Sequence, residues 1–84
     1  MKEVIEKYRQ LLIQIATPQS TGTGFFLKEH DLIVTNFHVV EGNREAVVQG
    51  EKVAKQLVDV IYADPFYDLA FLRKPEMEAD MPLI

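Results

Sequence analysis

The chain has no cysteine among its 84 residues, which excludes disulfide staples, a thiolate zinc site and a thiol nucleophile, and leaves the redox compartment open. Histidine is scarce. The two present, His30 and His38, give a metal site little support without cysteine beside them. Nine basic residues are scattered against thirteen acidic ones, and a net charge of −4 with a pI near 5.0 leaves no electrostatic footprint for nucleic acid or an acidic membrane. No run of apolar residues approaches membrane-spanning length, and the opening residues 1–7 mix charges with apolar side chains, unlike a secretory leader. The sequence therefore reads as soluble and cytoplasmic, with neither nucleic acid nor membrane among its partners and no cofactor called for by any motif.

What is present suits one small core. Apolar residues make up 48% and charged residues 26%, ordinary for a folded domain, and a chain this short buries only about 60–65% of its unfolded surface. Val4, Ile5, Tyr8, Leu11, Leu12 and Ile15 fall at helical spacing, while Leu11, Ile13 and Ile15 also alternate as a strand would. The expectation is a helix over about 2–9 and a strand over about 10–16, closed by Pro18. Thr17–Gly24 is turn chemistry; its Gly22-Thr23-Gly24 lacks the lysine and following helix of a phosphate cradle, so glycines that let two backbones approach closely are the better account. Lys28-Glu29-His30-Asp31 connects Phe25–Leu27 to Leu32–Thr35 as a hairpin, which makes His30 an exposed turn residue. A short strand follows through Ala46–Val48, then a long one over 53–63, and a last strand opens on Asp68. Several short strands with helical pattern only at the start predict an all-β fold, a small Greek-key barrel.

Two stretches carry chemistry. In Leu32-Ile33-Val34-Thr35-Asn36-Phe37-His38-Val39-Val40 an apolar β-branched run ends in a polar pair and delivers His38 at a rigid strand end, where a general base is useful. From that stretch alone, a histidine that merely caps a loop reads equally well. In Asp64-Pro65-Phe66-Tyr67-Asp68-Leu69-Ala70-Phe71-Leu72 there are two candidate carboxylates. Asp64 precedes a proline and suits a turn that bonds its own backbone, whereas Asp68 opens an apolar strand and could be held rigidly inside.

These motifs, preceded by Thr21-Gly22-Thr23-Gly24-Phe25-Phe26-Leu27, resemble the trypsin-like serine proteases, and among them the bacterial HtrA/Deg-type branch. In that family a Gly-x-Gly-Phe strand precedes a Val-Thr-Asn-x-His-Val segment bearing the catalytic histidine, and an Asp-Leu-Ala segment bears the triad aspartate. The resemblance covers about residues 10–75 and implies that His38 is the general base and Asp68 its orienting carboxylate. It further implies a fold in which this chain is the first of two six-stranded barrels. A serine hydroxyl is a poor nucleophile until an imidazole takes its proton, and a carboxylate on the other ring nitrogen fixes the tautomer. The departure is the nucleophile. The chain's one serine, Ser20, lies upstream of the histidine and outside the glycine-flanked loop the family uses.

The resulting expectation is a first barrel over residues 1–75 and the start of an inter-barrel linker over 76–84, where a Pro-bounded acidic tail ends on an apolar stub as if cut from something longer. The leading functional reading is the N-terminal half of a trypsin-like serine endopeptidase, inert alone, acting on polypeptide substrate once a C-terminal barrel supplies the nucleophile. A protease-like binding or scaffold module without catalysis is the reading from another class, and an unrelated barrel would have to match both motifs in register by coincidence. A half-enzyme would leave some of Phe37, Val39, Val40, Phe66, Tyr67 and the terminal 81–84 uncovered, which favours self-association.

Overall fold

In the computed structural model, which describes residues 2–76, the strands alternate inward and outward residues as a barrel wall imposes, except in the long fifth strand, whose alternation breaks where its pairing shifts register. A helix α1 (Lys2–Leu11) leads into β1 (Leu12–Ala16), β2 (Thr21–Leu27) and β3 (Leu32–Thr35). A one-turn helix α2 (Phe37–Val40) then precedes β4 (Glu45–Gly50), β5 (Val53–Asp64) and β6 (Leu69–Arg73). The strands close in the order β1-β2-β3-β6-β5-β4, antiparallel throughout, with β4 returning to β1. Because β3 pairs with β6 and not with β4, the path is a Greek key.

Ile13, Ile15, Phe26, Ile33, Val48 and Leu72 point inward and are buried, and burial of each such side chain contributes about 1.5–3 kcal/mol against the unfolded chain. Gly24 faces the same interior opposite Thr35, where a Cβ would stand 2.5 Å from the carbonyl oxygen of Val34. That is the close backbone approach expected of the Gly22-Thr23-Gly24 stretch. Thr35 is the buried polar residue there, and its Oγ1 donates to the Thr23 carbonyl at 2.8 Å, which satisfies the hydroxyl.

The outer wall carries an unusual row. Leu12, Phe25, Val34, Phe71 and Tyr62 are direct cross-strand partners in sequence around five strands, and Leu12, Phe25 and Tyr62 remain exposed. Tyr62 and Phe71 stack with ring centroids 5.4 Å apart, the geometry aromatic quadrupoles favour.

The sequence expectations need five corrections, one being that Thr21–Gly24, expected as turn chemistry, are already strand, paired along β1. The first helix runs through Leu11, two residues beyond its expected end, because Gln10 and Leu11 are good helix formers and β1 pairing begins only at Leu12 with Phe25. His38 does not sit at a strand end: the chain turns through Asn36 into α2. Val39 and Val40 are not part of an uncovered surface, since that helical turn tucks both into one end of the barrel with 4% and 1% of their surface exposed. Asp68 is neither inside nor in a strand; it occupies the turn before β6 with φ +56° and a side chain 43% exposed. The expected turn position of His30 holds, with its N–H donating to the Leu27 carbonyl. Of the tail expected as a linker, residues 77–84 lie outside the described residues.

Candidate active site

Pairing of Thr35 with Ala70 puts the exit of β3 and the entrance of β6 at one end of the barrel. His38, three residues past Thr35, and Asp68, two before Ala70, are thereby neighbours although 30 residues apart in sequence. The spacing is thus a consequence of topology: the intervening β4–β5 excursion leaves this end and comes back to it.

His38 lies in the first turn of α2, where backbone N–H groups have no partner within the helix. Its N–H donates to Asp68 Oδ1 at 2.9 Å, and its ring Nδ1 lies 2.8 Å from Asp68 Oδ2. The carboxyl of Asp68 is held below its ordinary value of 3.8, first by the His38 backbone N–H, then by the His38 ring, with smaller help from the charge of that ring when protonated and from the Phe37 N–H, against a small opposing loss of hydration. An ionised carboxylate only accepts, so Nδ1 carries the proton, and in the neutral form of the ring Nε2 is the basic lone pair. The His38 side chain is 65% exposed, which leaves that nitrogen approachable.

Asp64, the other carboxylate, does what a turn aspartate does. Its Oδ1 accepts from the N–H groups of Phe66 at 2.9 Å and Tyr67 at 3.3 Å, and Tyr62 Oη donates to its Oδ2 at 3.4 Å. This turn lifts Phe66 and Tyr67 into solvent, edge to face with centroids 4.9 Å apart, directly ahead of Asp68. Ser20 closes the Thr17–Ser20 turn through its backbone and shares no hydrogen bond with His38 or Asp68 among the described residues. Asn36 was not singled out by the sequence reading, yet its Nδ2 donates to the Asp68 carbonyl oxygen at 3.2 Å. An asparagine just before an apolar turn is a helix-start signal, and it was available in the sequence.

The arrangement can hold a proton-accepting imidazole in one tautomer and one orientation. Comparison with known proteins gives the family. Residues 22–83 match the model of the trypsin-like peptidase domain. Serine protease HTR4 of Rattus norvegicus is 36% identical over 67 residues, which are 80% of this chain and 14% of that protein. This chain therefore spans about one seventh of that relative's length. Among solved structures, the serine protease of a human pathogenic astrovirus superposes with a TM-score of 0.74 at 33% identity, covering 90% of this chain and 44% of that one. The Rv3671c protease in its inactive form gives a TM-score of 0.77 at 28% identity, covering 90% and 38%. With residues 22–83, most of this chain, matched to the family's domain and its barrel superposed on part of solved proteases, this chain belongs to the trypsin-like peptidase family.

Proposed function

We propose that the chain supplies the base half of a serine endopeptidase: His38 as general base, Asp68 as the carboxylate that orients it, and residues 1–75 as the first of two barrels. The observation that carries this reading is the double hold of His38 on Asp68, which leaves Nε2 as the ring's only free basic site. A serine Oγ delivered opposite Nε2 by a C-terminal barrel would lose its proton to His38 as it attacks the peptide carbonyl. The same proton would then pass from Nε2 to the departing amine, with Asp68 stabilising the imidazolium in between. Ser20, upstream of His38 and sharing no hydrogen bond with it among the described residues, is not that nucleophile in this reading; the 84-residue chain alone should not cleave peptides. Polypeptide substrate, a nucleophile-bearing second barrel and self-association of the isolated chain through its exposed aromatics belong to the same proposal.

The test is reconstitution. The chain is produced joined to, or mixed with, a trypsin-like C-terminal barrel carrying a glycine-flanked serine, then treated with a fluorophosphonate probe and assayed on peptide substrates. Labelling and hydrolysis that vanish in His38→Ala are expected. A stable two-barrel protein whose serine stays unlabelled would overturn the proposal in favour of a non-catalytic binding module.

A further inference from the structure

The residue at the start of α2 is placed to cap that helix and does not. Asn36 has the extended backbone of an N-cap, φ −86° and ψ 143°, and asparagine is among the preferred capping residues, but its side chain makes no capping bond. Its amide reaches instead to the main-chain carbonyl of Asp68, 32 residues away, at 3.2 Å. That carbonyl belongs to a non-glycine residue in the left-handed region, φ +56°, a conformation that persists only where the surroundings over-determine it. The other holds on Asp68 come from the N–H and ring of His38, with lesser help from the Phe37 N–H, and reach the carboxylate. Backbone and side chain of the aspartate are thus gripped separately, both from the three-residue stretch 36–38.

We infer that Asn36 is a positioning residue, a clamp that fixes the Asp68 backbone so that its carboxylate meets both the N–H and the ring of His38. The chemistry demands an amide. A carbonyl acceptor needs a donor, which Asp lacks, and the hydroxyl of Ser on its shorter side chain would turn back to the helix N–H groups it caps well. Releasing the clamp frees the turn at Asp68 to leave the left-handed region, and the carboxylate moves with it. The consequence for catalysis rests on the proposed function; the consequence for the His38–Asp68 pair does not.

Two variants of the 84-residue chain separate clamping from helix capping. Asn36→Ala removes both capacities, while Asn36→Ser keeps a good cap and loses the reach to Asp68. Proton and nitrogen resonances of the His38 ring and a carbon-detected titration of the Asp68 carboxyl are recorded for each, beside urea unfolding. Expected for Asn36→Ser are an unfolding midpoint at or above that of the parent, loss or broadening of the His38 Nδ1–H signal, and an Asp68 midpoint raised toward the ordinary carboxylate value. Should Asn36→Ala fail to fold, Asn36→Ser still decides the matter. A ring signal and an Asp68 midpoint unchanged in Asn36→Ser would overturn the inference. In a reconstituted enzyme the same substitution should lower kcat by about 10²-fold, the cost of misplacing a catalytic group by an ångström, with KM unchanged. An inactive parent enzyme would count against the protease proposal and leave the spectroscopic result standing.

Discussion

His38 holds the carboxylate of Asp68 with two different groups, its backbone N–H on Oδ1 at 2.9 Å and its ring Nδ1 on Oδ2 at 2.8 Å. Since both come from one residue, the ring's direction is referred to its own main chain through the aspartate, and rotation about the His38 side chain breaks a bond. The exposure of both side chains, 65% and 43%, means that this pair adds little to stability through charge; solvent screens it. In the proposed enzyme its use is orientation.

Asp68→Asn in a reconstituted enzyme tests that use. An amide can present one acceptor oxygen but must set its NH2 against either the His38 N–H or the protonated Nδ1. The second choice drives the ring to the tautomer whose Nε2 carries the proton and cannot act as base. The expected loss in kcat is on the order of 10⁴, the size the same substitution has in the serine-protease template. Asp64→Asn should stay within about tenfold of the parent, because its amide oxygen can still accept from Phe66 and Tyr67. The reverse ranking of the two variants in kinetic assays would assign the orienting carboxylate to Asp64.

The lowered Asp68 pKa gives a signed dependence of stability on pH. A carboxyl that titrates lower folded than unfolded contributes stability that is fully present above the ordinary value of 3.8 and is lost as pH falls through the lower folded value. Urea midpoints of the parent chain should therefore decline as pH falls below 3.8 through the lower folded value, and the decline should be smaller in Asp68→Ala. Equal slopes in the two proteins would show that the hydrogen bonds from His38 do not persist in solution.

Much of this could be read in the residues, and the exceptions share a cause. Strands β2 and β3 and their hairpin follow from Phe25–Leu27 and Leu32–Thr35 flanking a polar connector, and the meeting of His38 with Asp68 follows from two motifs in order. The helical turn at Phe37–Val40 is signalled only by Asn36, against the strand propensity of β-branched Val39 and Val40, which tertiary burial turns inward. The left-handed Asp68 does not follow: aspartate tolerates that region better than most residues, but the contacts that hold it there come from Asn36 and His38, 32 and 30 residues away. Where distant contacts override local preference, the sequence reads as strand and the structure does not.

The interior glycines predict unequal responses. In Gly24→Ala the new Cβ meets the backbone oxygen of Val34 at 2.5 Å and the Ile15 side chain at 2.8 Å, so two paired strands must separate. A loss of about 1–3 kcal/mol by urea unfolding is expected, as for other overpacked interiors. In Gly22→Ala the clash is with the Val39 side chain at 2.5 Å, and a β-branched residue in a helix has one comfortable rotamer. Displacing Val39 displaces α2. The His38 ring resonances should therefore shift more in Gly22→Ala than in Gly24→Ala, even where the latter is the less stable protein; the opposite order would mean that α2 is not seated by Gly22.

Self-association of the isolated chain is the last expectation, and its surface is specific. Phe66 and Tyr67 are 84% and 70% exposed, the two most exposed large hydrophobic residues described, on a turn that Asp64 keeps rigid. Two aromatic rings fixed in solvent lose little side-chain freedom on docking and bury large apolar area, the features that make such residues anchors of interfaces. The outward row from Leu12 to Tyr62 is the competing surface, but two of its three rings, Tyr62 and Phe71, already stack on each other. Sedimentation from low-micromolar to high-micromolar concentration should show a reversible rise in mass for the parent chain. Phe66→Ser combined with Tyr67→Ser should abolish it and leave the His38–Asp68 resonances in place, whereas Phe25→Ser should not. A chain that stays monomeric throughout would mean that these rings are covered by no copy of itself, and dimers lost only in Phe25→Ser would move the interface to the outer wall.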